Sequence, residues 1–386
     1  MPDPSTTPPL TRASVQAAHD LIKPYVHETP VLTNSTLDQL ASTPRTVEEL
    51  KGTEWEGVER VANPRIRFWF KCENFQRIGA FKARGAFHAV ERLKKEEGLE
   101  GLRGTGVVTH SSGNHAQALS LAARENGIPA YIVMPDISPP PKIAATKGYG
   151  ANITFSGSTS TEREAVTREV IEKTGARLVP PYDHPDIILG QGTAALELQS
   201  QVSTALSTSG TTTRRLNAVI TPCGGGGLLS GTALACSDPS AQGGPILVFG
   251  AEPSFSGADD GRRGYYSGTR IESVKSLTIA DGLRTPLGAY PWSIIYERKL
   301  VAGMYSVGEE EIKKALRLVY ERMKVVVEPS AVVGLAVALY NEEFRSMVER
   351  EAGEEGWDLG VVFSGGNVEL AALARLFGEE RVVRRA

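Results

Sequence analysis

Apolar positions in this chain fall into two alternating kinds of segment. Short continuous runs read as buried strands, and between them lie stretches whose apolar residues recur at helical spacing. Ala13 to Tyr25 has helical spacing, and Pro30-Val31-Leu32 leads into Thr36-Leu37-Asp38-Gln39-Leu40. Ala41 to Pro64 is polar, rich in Glu, Thr and Gly, and reads as a surface insertion. From Ile66 the rhythm is regular: strand Ile66 to Lys71, helix Ala80 to Lys95, strand Gly106 to His110, helix Asn114 to Asn126, strand Ala130 to Met134, helix Lys142 to Tyr149, strand Ala151 to Phe155, helix Glu162 to Thr174, then Leu178-Val179. It resumes with helix Gln191 to Leu206, a Ser/Thr-rich loop at Ser207 to Thr213, strand Ala218 to Thr221, a glycine run, a helix and strand Ile246 to Gly250. Tyr305 to Val307, helix Glu309 to Arg322, helix Ser330 to Leu339 and strand Gly360 to Phe363 complete the series. Strands alternating with helices in this way predict parallel βαβ units, hence an α/β fold. No repeat or heptad is present.

Composition narrows the function classes. The 386 residues, 41% hydrophobic and 23% charged, suffice for one large α/β domain with a subdomain. With 42 basic and 45 acidic residues the net charge is −3, so no basic excess drives nucleic-acid binding. Cys72, Cys223 and Cys236 are far apart and form no C-x-x-C pair, which argues against a disulfide framework or a zinc site and for an intracellular chain. The start, MPDPSTTPPLTR, lacks the apolar stretch of a secretory signal, and no apolar run approaches the roughly 20 residues of a membrane span. A cytoplasmic protein with no membrane partner is expected. The 40 glycines exceed the usual share of about 7%, and four of them are consecutive.

Those four lie in Thr221-Pro222-Cys223-Gly224-Gly225-Gly226-Gly227-Leu228, between a strand and a helix. Consecutive glycines let backbone N–H groups converge on an anion at a helix N-terminus, the form of a phosphate cradle. The stretch lacks the Lys-Ser/Thr of a P-loop and the G-x-G-x-x-G fingerprint, which disfavours nucleotide hydrolysis and NAD chemistry. A close-packed turn without ligand is the alternative. The turn His110-Ser111-Ser112-Gly113-Asn114-His115 also joins a strand to a helix and suits a carboxylate, unless Ser112 or Asn114 merely caps the helix; His115 alone is more often structural than catalytic. Phe363-Ser364-Gly365-Gly366-Asn367 again follows a strand. Turns at strand C-termini converge where open α/β sheets bind ligands, so one shared site is expected. Lys82, in Gly79-Ala80-Phe81-Lys82-Ala83-Arg84-Gly85, enters an apolar helix start where desolvation would lower its pKa, as Schiff-base chemistry requires. An amine nucleophile with a phosphate cradle and no metal motif points to pyridoxal phosphate.

These segments, with Thr29 to Leu32, Lys71 to Gln76, Gly190-Gln191-Gly192-Thr193, Glu252-Pro253, Ala280-Asp281-Gly282 and Glu328-Pro329-Ser330, resemble in order the fold-type II pyridoxal-phosphate enzymes. Within them the chain is most similar to the eukaryotic serine racemase and serine/threonine dehydratase branch, which includes fungal threo-3-hydroxyaspartate ammonia-lyases. The resemblance spans roughly Ser14 to Leu370. It implies a tryptophan-synthase-β-like fold of two open, twisted, mostly parallel sheets flanked by helices. Residues 106–186 would form a small mobile domain inserted in a large one, 1–105 plus 187–386, with the cofactor in the cleft and a homodimer as the assembly.

Carried over by residue, the resemblance makes Lys82 the Schiff-base lysine and one-face base, with Phe81 against the cofactor ring. Gly224, Gly225, Gly226, Gly227 and the Leu228 amide would hold the phosphate, Asn114 the ring hydroxyl and Ser364 the pyridine nitrogen. Ser111, Ser112, Asn114 and His115, with Arg163 as helper, would bind the substrate carboxylate. Ser112 would be the acid/base of the opposite face, which stereoinversion needs and dehydration can use. The substrate would be a small β-hydroxy amino acid, racemised or eliminated to a 2-oxo acid and ammonia; the alternative is a threo-3-hydroxyaspartate or threonine ammonia-lyase, and from a different class a non-catalytic amino-acid-binding homologue.

Departures from the pattern matter at two places. Glu252 to Asp260 is two residues longer than the racemase cation loop, so the ligands become Glu252, the Ala258 carbonyl and Asp260, with Gly257 and Asp259 as alternates, for Mg²⁺ or else Ca²⁺ or Mn²⁺. The racemase ATP-effector site is matched only through Asn34, Ser35, Thr36 and Arg77, which puts ATP activation in doubt.

Overall fold

Continuous apolar runs demand burial on both faces, and parallel sheets covered by helices supply it. The computed structural model describes residues 7–138, 140–211, 214–238 and 244–378. Among them the strands are β1 (Val31–Leu32), β2 (Ile66–Cys72), β3 (Val107–His110), β4 (Ala130–Pro135), β5 (Asn152–Ser156), β6 (Arg177–Leu178), β7 (Leu216–Pro222), β8 (Leu247–Pro253), β9 (Gly303–Val307) and β10 (Trp357–Phe363). They build a six-stranded sheet of order β1-β2-β10-β7-β8-β9 and a four-stranded sheet of order β5-β4-β3-β6. Every pairing is parallel except β1 with β2. The expected α/β architecture of two mostly parallel sheets is therefore present.

β10 is buried at all seven positions and lies between β2 and β7, with Phe363 opposite Cys72 and Val361 opposite Ile220. Phe363 stacks on Phe70 with ring centroids 4.8 Å apart. The second sheet falls within residues 107–178, between two helices, Lys82–Glu97 and Pro185–Thr208, that pack on each other. Their crossing explains Gly85 and Gly190, where a Cβ would stand 2.3 Å from Gln191 Nε2 and 2.7 Å from the Arg84 carbonyl; on the other side a Cβ on Gly192 would stand 2.5 Å from the Gly231 carbonyl of the helix Gly227–Cys236. These contacts are too close for any side chain, so the Gly190-Gln191-Gly192 motif is a packing device.

Three expectations change. The stretch Ala41 to Pro64 is anchored as well as solvated: Thr46 and Glu49 cap a short helix, Val47–Leu50, and Leu50 and Ala62 are buried. Arg45 donates to the Tyr340 carbonyl (2.8 Å), and buried Arg345 donates to the carbonyls of Ala41 and Thr43 (2.8 Å each). The helix expected from Gln191 starts at Pro185, where Pro suits the first turn, and runs to Thr208, so it takes the first residues of the Ser207 to Thr213 loop. Thr212 and Thr213 lie outside the described residues. Helices Leu99–Thr105, Asp260–Ser267, Glu342–Ala352 and Leu370–Gly378 are additional. No helix among the described residues is long and apolar enough to cross a membrane.

Candidate active site

β2, β3, β7 and β10 deliver their C-terminal ends to the turns that the sequence singled out, as open parallel sheets do. After β2 the chain turns through Ile78 and Gly79, at φ 61° and 72°. It then pairs Ala80 with Gly365 in an isolated bridge, and the Phe81 amide donates to the Ser364 carbonyl (3.0 Å). The helix starts at Lys82, whose Nζ donates to the Pro181 carbonyl (2.6 Å) and lies 5.1 Å from the Phe81 ring centroid. Burial lowers the ammonium to about 8, against the opposing pull of the Glu328 charge.

The first turn of this helix is pinned from below. Arg84 is fully buried and donates to Glu73 through Nε (2.7 Å) and Nη2 (2.8 Å), and to Glu197 through Nη1 and Nη2 (2.7 Å each). Lys71 Nζ donates to Glu197 and to the Thr29 carbonyl (2.7 Å each). Two cations and two carboxylates satisfy one another, which a buried charge requires.

After β3, Gly113 precedes the helix Asn114–Glu125 with no side-chain cap, so neither Ser112 nor Asn114 caps it. Its first N–H groups lack intrahelical acceptors and suit a carboxylate. Ser111 Oγ instead accepts from the Gly113 amide (3.3 Å). Asn114 Nδ2 donates to both oxygens of Glu328 (3.1 and 3.3 Å), while its Oδ1 accepts from Asn367 Nδ2 (2.8 Å). Asn367 also donates from its amide to Glu328 (3.2 Å) and from Nδ2 to the Ile78 carbonyl (2.7 Å). Burial, then the Asp281 charge, raises the Glu328 carboxyl to about 7 although Asn114 and Asn367 donate to it. Ser364, buried at the end of β10, stands beside this cluster through its neighbour Gly365, whose carbonyl accepts from the Glu328 amide (3.0 Å).

The side chains of the two other expected substrate-site residues, His115 and Arg163, each bond to a backbone carbonyl. His115 is buried, with Nε2 bonded to the Val179 carbonyl (2.9 Å), and desolvation pushes it down to about 3; the imidazole is a neutral strut, and only the backbone of His115 belongs to the helix N-terminus. Arg163 sits on the helix Ser160–Thr174 and donates to the Ser158 carbonyl (3.0 Å); burial first, and then the Arg163 charge, lowers His110.

After β7, Gly226 takes φ 86° and opens the helix Gly227–Cys236, again without a side-chain cap. A Cβ on Gly224 would stand 3.0 Å from Leu283 Cα, one on Gly225 2.3 Å from the Tyr182 ring, and one on Gly226 2.4 Å from Leu287 Cδ1. The loop can therefore present only backbone, and with Gly227 and buried Leu228 it offers the uncapped amides that a phosphate needs. A donor set of amides at a helix start, a depressed lysine and a serine at a strand end fits the expected cofactor.

The remaining expectations lie outside this cluster. Glu252 is fully buried and accepts from the amides of Gly261 (3.1 Å) and Arg262 (2.7 Å); Asp260 accepts from the Leu287 amide (2.9 Å). Both carboxyls are raised by burial, Asp260 to about 6, and each Glu252 oxygen already has a donor. Ala258 is buried between them in sequence, but no cluster of three or more His, Cys, Asp or Glu side chains poised for a metal occurs among the described residues. Asn34 caps the helix Ser35–Ala41, which contains Thr36, by accepting from the Leu37 amide (3.0 Å); Arg77 pairs with Glu125 and donates to the Tyr25 carbonyl (2.9 Å). Those side chains have structural employment.

Sequence reasoning placed Glu328 and Asn367 in motifs without a role and passed over the segment Pro181-Tyr182-Asp183. Asp183 accepts from the amides of Ala289 (3.0 Å) and Tyr290 (2.9 Å), fixing Tyr182 over the glycine loop. A carboxylate followed by Pro329 and Ser330 was the available signal for Glu328; nothing local marks Tyr182.

Comparison with known proteins agrees with this arrangement. The family described as pyridoxal-phosphate dependent enzyme matches residues 50–365. A serine racemase of Dictyostelium discoideum is 40% identical over 95% of this chain and 98% of its own length. An L-threo-3-hydroxyaspartate ammonia-lyase of Saccharomyces cerevisiae is 40% identical over 95% and 96%. A solved pyridoxal 5'-phosphate-dependent aspartate racemase superposes with TM-score 0.77 at 29% identity, covering 94% of this chain and 97% of its own. With a backbone-only anion loop, a buried lysine of lowered pKa and matches that span nearly the whole chain, the protein belongs to the pyridoxal-phosphate dependent enzymes.

Proposed function

We propose that the chain racemises small β-hydroxy amino acids such as serine and dehydrates them to a 2-oxo acid and ammonia. The observation that carries this is that Lys82 bonds to the Pro181 carbonyl, next to the Tyr182 that packs on Gly225 of the anion loop, and feels the charge of Glu328, to which Asn114 of the Ser111-Ser112-Gly113-Asn114 turn is hydrogen-bonded. Gly224, Gly225, Gly226, Gly227 and the Leu228 amide would hold the cofactor phosphate, with Phe81 against its ring, Asn114 at its hydroxyl and Ser364 at its ring nitrogen. Pyridoxal phosphate, when bound, supplies an aldehyde for the substrate amine and an electron sink that acidifies the Cα proton.

The chain's own residues do the rest. The amides that start the Asn114 helix, with Ser111, bind the substrate carboxylate. Lys82, neutral above about pH 8, takes the Cα proton on one face. The Ser112 hydroxyl serves the other face, returning a proton with inversion or protonating the departing β-hydroxyl. Residues 106–186, which contain the second sheet and the Ser112 turn, would act as a small domain that closes on the substrate and excludes water. The buried carboxylates Glu252 and Asp260, with the Ala258 carbonyl, would take a divalent cation.

Assay of both enantiomers of serine, threonine and threo-3-hydroxyaspartate for keto acid, and for inverted enantiomer in D₂O, tests the reading. Ser112→Ala is expected to lose inversion and D-substrate elimination by about 100-fold or more, the usual weight of a positioned acid/base, while still binding cofactor. Undiminished inversion in that variant would assign the second face to another group.

A further inference from the structure

The groups above address an amine, an α-carboxylate and a phosphate, but none of them addresses a charge at the far end of a substrate. One cation is carried to the cleft by the fold. Lys142, on the helix Pro140–Gly148 that follows β4, donates from Nζ to Asp281 Oδ2 at 2.6 Å. Asp281 opens the turn Asp281–Leu283. In that turn the Gly282 carbonyl and Leu283 Cα lie 3.2 and 3.0 Å from where a Cβ on Gly224 would stand, and the Gly282 amide donates to Ser330 Oγ (3.0 Å). The pair thus bridges the second sheet to the glycine loop. Both members act on Glu328, the carboxylate bonded to Asn114, so they stand beside the same edge of the site.

We propose that Lys142 recognises a carboxylate on the β-carbon of the substrate, and that Asp281 stands in for that carboxylate when the substrate has none. The side chains of Lys142 and Asp281 are 32% and 39% exposed, and a solvated pair of that kind is worth only about 0–1 kcal/mol. Exchanging one carboxylate for another at Lys142 therefore costs little. With serine or threonine the Lys142–Asp281 bridge stays made across the cleft. With 3-hydroxyaspartate the substrate carboxylate takes Lys142, and Asp281 turns to solvent. The inference rests on the racemase/dehydratase reading and names an acidic substrate class for it. Relatives named for 3-hydroxyaspartate and for aspartate, both with a side-chain carboxylate, agree with that class. Arg163, which the resemblance assigned to the α-carboxylate and not to a β-carboxylate, donates to the Ser158 carbonyl.

The test compares kcat/KM for L-threo-3-hydroxyaspartate and L-serine in the holoenzyme and in Lys142→Gln, Lys142→Arg and Asp281→Asn, each checked for cofactor absorbance and melting temperature. Losing one charge-assisted hydrogen bond lowers the hydroxyaspartate value about 10- to 100-fold in Lys142→Gln, mainly through KM. The serine value falls no more than about fivefold, the worth of the exposed bridge. Lys142→Arg keeps most of the hydroxyaspartate activity, and Asp281→Asn raises the ratio of hydroxyaspartate to serine. Equal losses for the two substrates in Lys142→Gln would reduce Lys142 to a latch and overturn the inference. So would a wild-type enzyme that turns over serine but not hydroxyaspartate. A wild type inert toward both, with its cofactor bound, removes the underlying reading and the inference with it.

Discussion

Lys82 feels the charge of Glu328, and burial draws their proton affinities together, the amine down to about 8 and the carboxyl up to about 7. The carboxyl has a stability consequence. Folded Glu328 keeps its proton until about pH 7, whereas the unfolded group loses it near 4.5. The folded state therefore binds more protons across that window, and stability falls as pH rises through it. In the apoenzyme, Glu328→Gln should remove up to about 3 kcal/mol of that fall, so its melting temperature relative to wild type is higher at pH 8 than at pH 5. A difference that does not change with pH would show that Glu328 is ionised throughout. Lys82 was legible in the sequence because an apolar helix start is local. The state of Glu328 was not, because its partners come from residue 114 on one side and residue 367 on the other. The same holds for His115, whose acceptor at Val179 lies on a different segment.

At the scale of elements, the glycine loop shows how a local signal and its cause differ. Four consecutive glycines announced a backbone turn, but not what excludes side chains from it. At Gly226 the exclusion is twofold: φ is 86°, and Leu287 and Pro291 stand 2.4 and 2.6 Å from a would-be Cβ. Gly226→Ala is expected to cost about 2–5 kcal/mol, the sum of left-handed strain and overpacking, read as a lower denaturation midpoint with the slope unchanged. The helix Glu342–Ala352 went unread for the opposite reason. Its apolar residues are few among charges, and it is held by buried Arg345, which reaches back to Ala41 and Thr43. That contact also ties down the stretch Ala41 to Pro64, whose composition alone suggested solvent.

For the whole molecule, alternating strands and helices were enough to announce parallel βαβ units, because each unit is local, whereas their division into two sheets came only from the family resemblance. Strand order was not legible, since pairing between units leaves no periodic trace in sequence. That order has a temporal consequence. The strand at the heart of the large sheet, β10, pairs Trp357 with Ile66 and Phe363 with Cys72, joining segments nearly 300 residues apart in the chain. Such non-local pairing is slow to form and leaves apolar edges open until it does. A ribosome-bound chain halted before Trp357 should therefore be cut readily by protease and should fail to retain pyridoxal phosphate. Release of the finished chain should protect it within the time of folding. Ser364 and Asn367 follow this strand directly and are the last of the site's residues to emerge, so the site is completed only after β10 has been made, and cofactor capture becomes a report that β10 has joined its sheet.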